Sequence, residues 1–445
     1  MIVACLPLLL QELIAGMASF LHQRLAHRLA QLLLGALLAQ GRRRTVTAWL
    51  RAAGIGPDWP AYYYFLAALG RRAGLLAGFL LQGAVLRLAG AGPLLFALDD
   101  SPTKRFGPHV QGAGRHHNPT PGPAGQPFLY GHVWVTLAWV VQHPLWGALG
   151  LPLRALLYVR AKDVPAIPRR QCWAFRTKLE LAADLIAWAT GLVRFSGRAV
   201  RAVVDGFYAK RPFLKAAARA GVVVIGRLRR DAGLRTVPVP PRGGRRRRGR
   251  PPTYGPGRIS LAKRAGQKRG WHEVEVRQYG QVRVKRVKTF EATWRPAGGR
   301  IRVVLVQEAR GWLALFSTDP ALTAEEILSA AADRFTIEQD FHDLKEVEGL
   351  GQQQLRDSWA NVGAFHVLAW AHTLVELWAW GQPRAALGDR SDSPWDDAAR
   401  RPSHADRRKA LRRQCLEQEF RGVTAGRPVA PEIQEFVSRV IHQVA

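Results

Sequence analysis

Acidic residues are scarce in this chain, and cysteines are scarcer. The 445 residues hold 33 Asp and Glu against 65 Lys and Arg, a formal net charge of +32. A field of that sign points to a polyanionic partner, most often nucleic acid and less often an anionic membrane. Coding bias can favour Arg over Lys, but it does not produce so large an excess of bases over acids. The three cysteines, Cys5, Cys172 and Cys415, are far apart and form no Cys-x-x-Cys pair. A disulfide framework is thereby excluded, and a reducing cytosol fits best. Long apolar runs are also missing. The longest stretch, Phe128 to Val159, is interrupted by His132, Gln142, His143, Pro144 and glycines. It reads as two buried strands and not as a membrane span. The segment Met1–Leu10 is apolar but has no basic flank and runs into Gln11 and Glu12, so a packed helix is expected there and no leader peptide. No P-loop, Gly-x-Gly-x-x-Gly or Gly-x-Ser-x-Gly pattern marks a nucleotide-binding or serine-hydrolase site.

What is present suggests two or three domains. Residues 1–88 are rich in Leu and Ala and read as an N-terminal helical domain. Within it, Arg42, Arg43 and Arg44 form a basic turn, with Thr45 placed to cap the next helix. Either a DNA-binding helix-turn-helix or a plain bundle with a basic face satisfies this pattern. From residue 89 the pattern changes to α/β. Leu94–Leu98 is a short strand ending at Asp99-Asp100-Ser101, and Ala202–Val204 is another ending at Asp205-Gly206. Residues 89–235 are assigned to the first part of a catalytic domain. Residues 236–313 carry the run Arg245, Arg246, Arg247, Arg248, Gly249, Arg250, then two-residue alternation typical of strands. The Arg run is too polar to pack and reads as a phosphate-binding loop; its Arg-Gly-Arg-Pro step also resembles an AT-hook core. The catalytic domain resumes over 314–381, and a polar, frayed tail is expected over 382–445. His116-His117 read as loop residues without further ligands at metal spacing. His366, His372 and the tryptophans of the segment Trp359–Trp380 read as core.

Three acids stand out by position. Asp99 and Asp205 each follow a buried strand, where α/β sheets gather ligand sites. Glu338 lies on a helix whose Ile337, Phe341 and Leu344 form an apolar stripe. At about 100° per residue, Arg334, Glu338 and Lys345 fall within roughly 40° of one another on the neighbouring face. A carboxylate between two cations suits chemistry on a phosphate backbone. Taken one at a time, a strand-end Asp is often a turn residue, and an Arg/Glu/Lys face is often a salt-bridge ladder. Three such acids in a basic chain favour a site in which divalent cations offset their repulsion. Two ions about 4 Å apart would serve in-line attack on a phosphodiester.

These blocks resemble bacterial insertion-sequence transposases of the DDE superfamily. One subgroup carries Tyr-x2-Arg-x3-Glu-x6-Lys, matched here by Arg334, Glu338 and Lys345, with Ala331 standing where the signature has Tyr. The Leu98–Ser101 and Val203–Tyr208 segments are similar to the two Asp blocks, and the Arg-rich stretch to an insertion that some members carry. The resemblance implies a ribonuclease-H-like catalytic domain with a β-rich insertion, and Mg²⁺ or Mn²⁺ as two ions. It implies Asp99, Asp205 and Glu338 as metal ligands, with Asp100 the alternative to Asp99. Arg334 and Lys345 would grip double-stranded DNA, with Arg42–Arg44 and the Arg245–Arg250 run as further contacts. The implied activity is cleavage and rejoining of element ends. The implied setting is a homodimer on DNA in a bacterial cytoplasm, associated with the nucleoid and not with membrane. The alternative is a transposase-derived protein that binds DNA without cutting it.

Overall fold

The computed structural model describes residues 5–41, 43–56, 58–88, 90–117, 126–239, 251–278, 280–388, 395–397, 399–424 and 428–444. Arg42 and the run Arg245–Arg248 with Arg250 lie outside them. Four helices open the chain: α1 (Leu8–Ala18), α2 (Gln23–Leu38), α3 (Val46–Ala52) and α4 (Trp59–Leu88). The Thr45 hydroxyl accepts from the Ala48 amide and starts α3. These helices share one apolar core with α10 (Ser358–Ala379), so the N-terminal region is not a separate unit. The reason is a close crossing. A Cβ on Gly70 would sit 2.0 Å from the Trp359 carbonyl, and one on Gly363 2.1 Å from that of Leu66. Only glycine lets α4 and α10 approach backbone to backbone. By length and hydropathy α4 would suffice to cross a membrane, but in the fold 56% of its apolar window is buried by protein.

The sheet begins with β1 (Leu94–Lys104), β2 (Gly114–His117), β3 (Phe128–His143) and β4 (Gly147–Tyr158). After α5 (Lys178–Val193) come β5 (Val200–Val204), α6 (Arg211–Arg219) and β6 (Val222–Leu228). The strands β4, β3 and β1 pair antiparallel in that order, and β5 and β6 then add in parallel. This is a mixed α/β domain with flanking helices. Short pieces β7 (Leu234–Arg235), β8 (Arg258–Ile259) and α7 (Leu261–Gly266) lead to β9 (His272–Gln278), β10 (Gln281–Trp294), β11 (Gly299–Glu308) and β12 (Gly311–Ser317). The expected β-rich insertion is not detached. β12 joins β6 antiparallel, and β11 and β10 follow it, so these strands prolong the central sheet.

Strand alternation divides the core. Phe96, Leu98, Ala202 and Val204 pack with α5 and α10, whereas Ala97, Val203 and Ile225 face α8 (Ala324–Asp333) and α9 (Phe335–Glu346). A capping box at Thr323 and Glu326 starts α8. The helix expected around Glu338 is α9, and it meets α8 at Arg334. Beside the break, the Thr336 hydroxyl takes the Asp333 carbonyl at 2.9 Å, a side-chain bond that competes with the helix ladder.

The tail expected to fray is folded. After α11 (Arg384–Leu387), α12 (His404–Thr424) packs on α10, and α13 (Pro431–Val444) follows. Its polarity misled because its charges are paired inside the fold. His404 Nδ1 lies 2.6 Å from Glu376 and Nε2 lies 2.9 Å from Glu348, all three being buried. Arg407 reaches Glu376 at 2.9 Å and Arg408 reaches Glu348 at 3.3 Å. Burial alone would push the imidazole down, but the hydrogen bonds to the two carboxylates carry it up to about 9.

A folded pKa above the ordinary value near 6.5 means stability that is fully present below that pH and lost as pH rises through about 9. The shift is worth roughly 3 kcal/mol. Hydrogen exchange of α12, corrected for intrinsic base catalysis, should therefore accelerate between pH 6 and 10, and His404→Gln should abolish that dependence. Protection of α12 that stays constant over the range would refute the network.

Candidate functional site

Asp99 is not past a strand end. It lies inside β1, opposite Thr136 of β3, because the long antiparallel partner carries β1 on to Lys104. What ends there is the parallel neighbour. Leu98 is level with Val204 of β5, so Asp99 and Asp205 occupy successive positions at the mouth of the β1–β5 pair. By alternation both project to the α9 side, like Ala97 and Val203 before them. Adjacent strands are only about 4.8 Å apart, so their charges repel.

The arrangement is held by Arg334 at the α8–α9 hinge. Its guanidinium donates to Asp99 Oδ2 at 2.9 Å and to Glu338 Oε1 at 2.5 Å. One cation thus bridges a strand acid and a helix acid that are 239 positions apart by number of the first and last, Asp99 and Glu338. Burial raises the Asp99 carboxyl to about 7; Arg334 opposes the rise, and the Asp205 charge adds to it. Burial also raises Asp205, against the pull of the Tyr208 and Phe207 amides on its Oδ1 and of Arg334. Asp205 therefore serves as a turn residue through one oxygen while facing Asp99.

Asp100 points to the other face. Lys178 Nζ reaches its Oδ2 at 2.5 Å and the Tyr208 hydroxyl its Oδ1 at 2.7 Å. It is engaged on the α5 side, away from Arg334. Lys345 donates to Ser101 Oγ at 2.6 Å, one alternation beyond Asp99 on the α9 side. Of the N-terminal arginines, Arg43 is exposed, and Arg44 is tied down. The Arg44 guanidinium donates to the Glu346 carbonyl, and its amide to Gln352 Oε1. Ala331, at the signature's Tyr position, packs against the apolar cluster under α8.

Among the described residues, the group of potential ligands gathered most tightly is elsewhere. Atoms of His372, Glu376 and His404 lie within 4.8 Å of one another and are buried. By proximity this trio could in principle hold a metal ion. The two imidazoles, however, stack at 3.8 Å and 16°. Ring nitrogens ligate in the plane of the ring at about 2.0–2.1 Å, which two stacked rings cannot both do for one ion. A proton shared with Glu376 and Glu348 accounts for the cluster better. Sequence reading placed His372 in the core but missed this network, because Glu348, Glu376 and His404 have no common spacing.

The two neighbouring aspartates should separate on substitution. Asp99→Asn removes a carboxylate that folding disfavours and should leave stability unchanged or raised. Asp100→Asn breaks a charged pair and should cost about 1–3 kcal/mol. Denaturant unfolding of both variants reads this out; a larger loss for Asp99→Asn would make that residue structural.

Compared with known families, residues 17–296 match the model described as DDE superfamily endonuclease. The match spans Asp99 and Asp205 and stops before Glu338. A comparison with curated proteins finds no match.

Proposed function

The chain belongs to the DDE superfamily of endonucleases, a family whose members associate with nucleic acid, and we propose that it is a metal-dependent DNA transposase on a ribonuclease-H-like domain. The observation that best supports this reading is the bridging of Asp99 and Glu338 by one guanidinium, with Asp205 at the next position of the neighbouring strand. The strand order β4-β3-β1-β5-β6, three antiparallel strands followed by two parallel ones, supports the fold.

The donor set fits the implied metal. All three groups are carboxylates, the oxygen ligands that Mg²⁺ or Mn²⁺ prefers, and burial with the Asp205 charge raises Asp99 against the pull of Arg334. Asp99, Asp205 and Glu338 would hold the ions; Asp100 is committed to Lys178 and Tyr208. When bound, two such ions would activate a water or a 3′-hydroxyl and offset charge on the leaving oxygen. The chain's own residues do the positioning. Arg334 lies against Asp99 and Glu338, and Lys345 lies beside Ser101, so both can take phosphate oxygens of a DNA end. Hydrolysis frees a 3′-hydroxyl. Its attack on a second phosphodiester forms one P–O bond as another breaks, either in the opposite strand or in target DNA. Two element ends have to be held together, which calls for a homodimer on the duplex. The basic balance of the chain, with Arg42, Arg43 and the Arg245–Arg250 run, suits that partner. The reading carries with it a bacterial cytoplasmic, nucleoid-associated setting.

The rival is DNA binding without cleavage, favoured by Ala331 in place of a phenol. Nicking of supercoiled plasmid decides between them. Cleavage should require Mg²⁺ or Mn²⁺ and fall by more than ~100-fold in Asp205→Asn, a loss beyond what outer-shell partners of a metal usually produce. DNA binding should persist in the variant. No metal-dependent nicking by the native chain would leave the rival standing.

A further inference from the structure

One groove lies outside the carboxylate site, farther along the chain segments that build it. α9 runs beside β1: Arg334 meets Asp99, Lys345 meets Ser101, and the residue Gly351, past the helix, packs on Thr103. Beyond this the two segments part and flank a cavity of about 730 Å³. One wall is Arg105–Val110, the other Gly351–Arg356, and Arg43 stands at the edge. Neither Asp nor Glu lines it. Arg43, His109 and Arg356 are exposed, and no ion pair engages them among the described residues.

The walls are built, not loose. Buried Arg105 donates to the Gly351 carbonyl at 2.9 Å, to that of Gln353 at 3.0 Å and to His132 Nδ1 at 3.1 Å. The Gln111 amide donates to the Arg356 carbonyl at 2.9 Å. On this braced frame Phe106 is left 84% exposed. An aromatic ring held out in a cationic groove has no packing role in the fold. It offers a face on which an unpaired base can stack, while the arginines take phosphates. A cavity on the scale of a drug-sized ligand admits a nucleotide or so and not a duplex.

Resting on the reading of the carboxylate site as a DNA-cutting centre, we propose that this groove binds single-stranded DNA leaving that centre, with Phe106 stacking on a base and Arg43 and Arg356 on its backbone. At about 3.3 Å per strand residue, Lys104, the last residue of β1 and two before Phe106, lies roughly 17 Å from Asp99, or about five base steps of a strand. The protein would therefore engage a frayed or cut end and not only an intact duplex.

Fluorescence anisotropy of the full chain, without metal, tests this with two labelled probes: a blunt duplex, and the same duplex with a short single-stranded overhang. The overhang probe should bind about 10-fold tighter, the scale of one base–aromatic stack. Phe106→Ala should abolish that preference and leave blunt-duplex affinity unchanged, and Phe106→Trp should restore it. Arg356→Ala should flatten the salt dependence for the overhang probe alone. Binding of both probes with equal affinity, or a preference indifferent to Phe106, overturns the groove and leaves the DNA reading intact. Failure to bind either probe overturns both.

Discussion

Two half-buried carboxylates set side by side at the mouth of a parallel strand pair are both held above the ordinary carboxylate range, chiefly by burial and against the pull of one guanidinium. The register of β1 against β5 imposes that proximity on Asp99 and Asp205. On the strand itself only the Asp100 amide, donating to Asp99 Oδ1 at 2.8 Å, relieves it among the described residues. Further relief comes from the α8–α9 junction, where Arg334 bridges Asp99 and Glu338. The site is therefore an electrostatic deficit built by backbone pairing and met from a distant helix. Such a deficit costs stability and is expected of a centre that binds cations, not of a scaffold.

Much of the remaining architecture holds α9 where that deficit needs it. Ile337, Phe341 and Leu344 seat it on the sheet. At its far end Glu348 is buried and takes His404 and Arg408 from α12, while Glu376 of α10 takes the other side of the same imidazole. Arg44 reaches the α9 carboxyl end from the N-terminal helices. The terminal helices are thus clamps on the helix that carries Glu338. The close α4–α10 crossing makes the frame to which they fasten.

Patterns confined to one element were legible in the sequence. The apolar run Leu94–Leu98 and the apolar stripe of Ile337, Phe341 and Leu344 are local, and each matches the structure. The errors arose where a distant partner decides. β1 continues through Asp99 because β3 pairs with it, and no local propensity reports that. The strands after residue 270 enter the central sheet because β12 finds β6. Residues beyond 382 looked like a solvated tail because Arg407, Arg408 and His404 are polar; their counter-charges lie on other helices.

Taken alone, the sequence determined the sign of the partner's charge, the α/β class and the short blocks containing Asp99, Asp205 and Glu338. Composition and periodicity act through nearest neighbours, so they survive without a fold. Tertiary structure decided which of two adjacent aspartates faces Arg334 and which is tied to Lys178. It also decided that Arg43 borders a groove while Arg44 is fastened, and that an imidazole and two carboxylates share a buried charge. Those outcomes depend on which surfaces meet, and electrostatic energy between side chains falls with distance in space, whatever their separation along the chain.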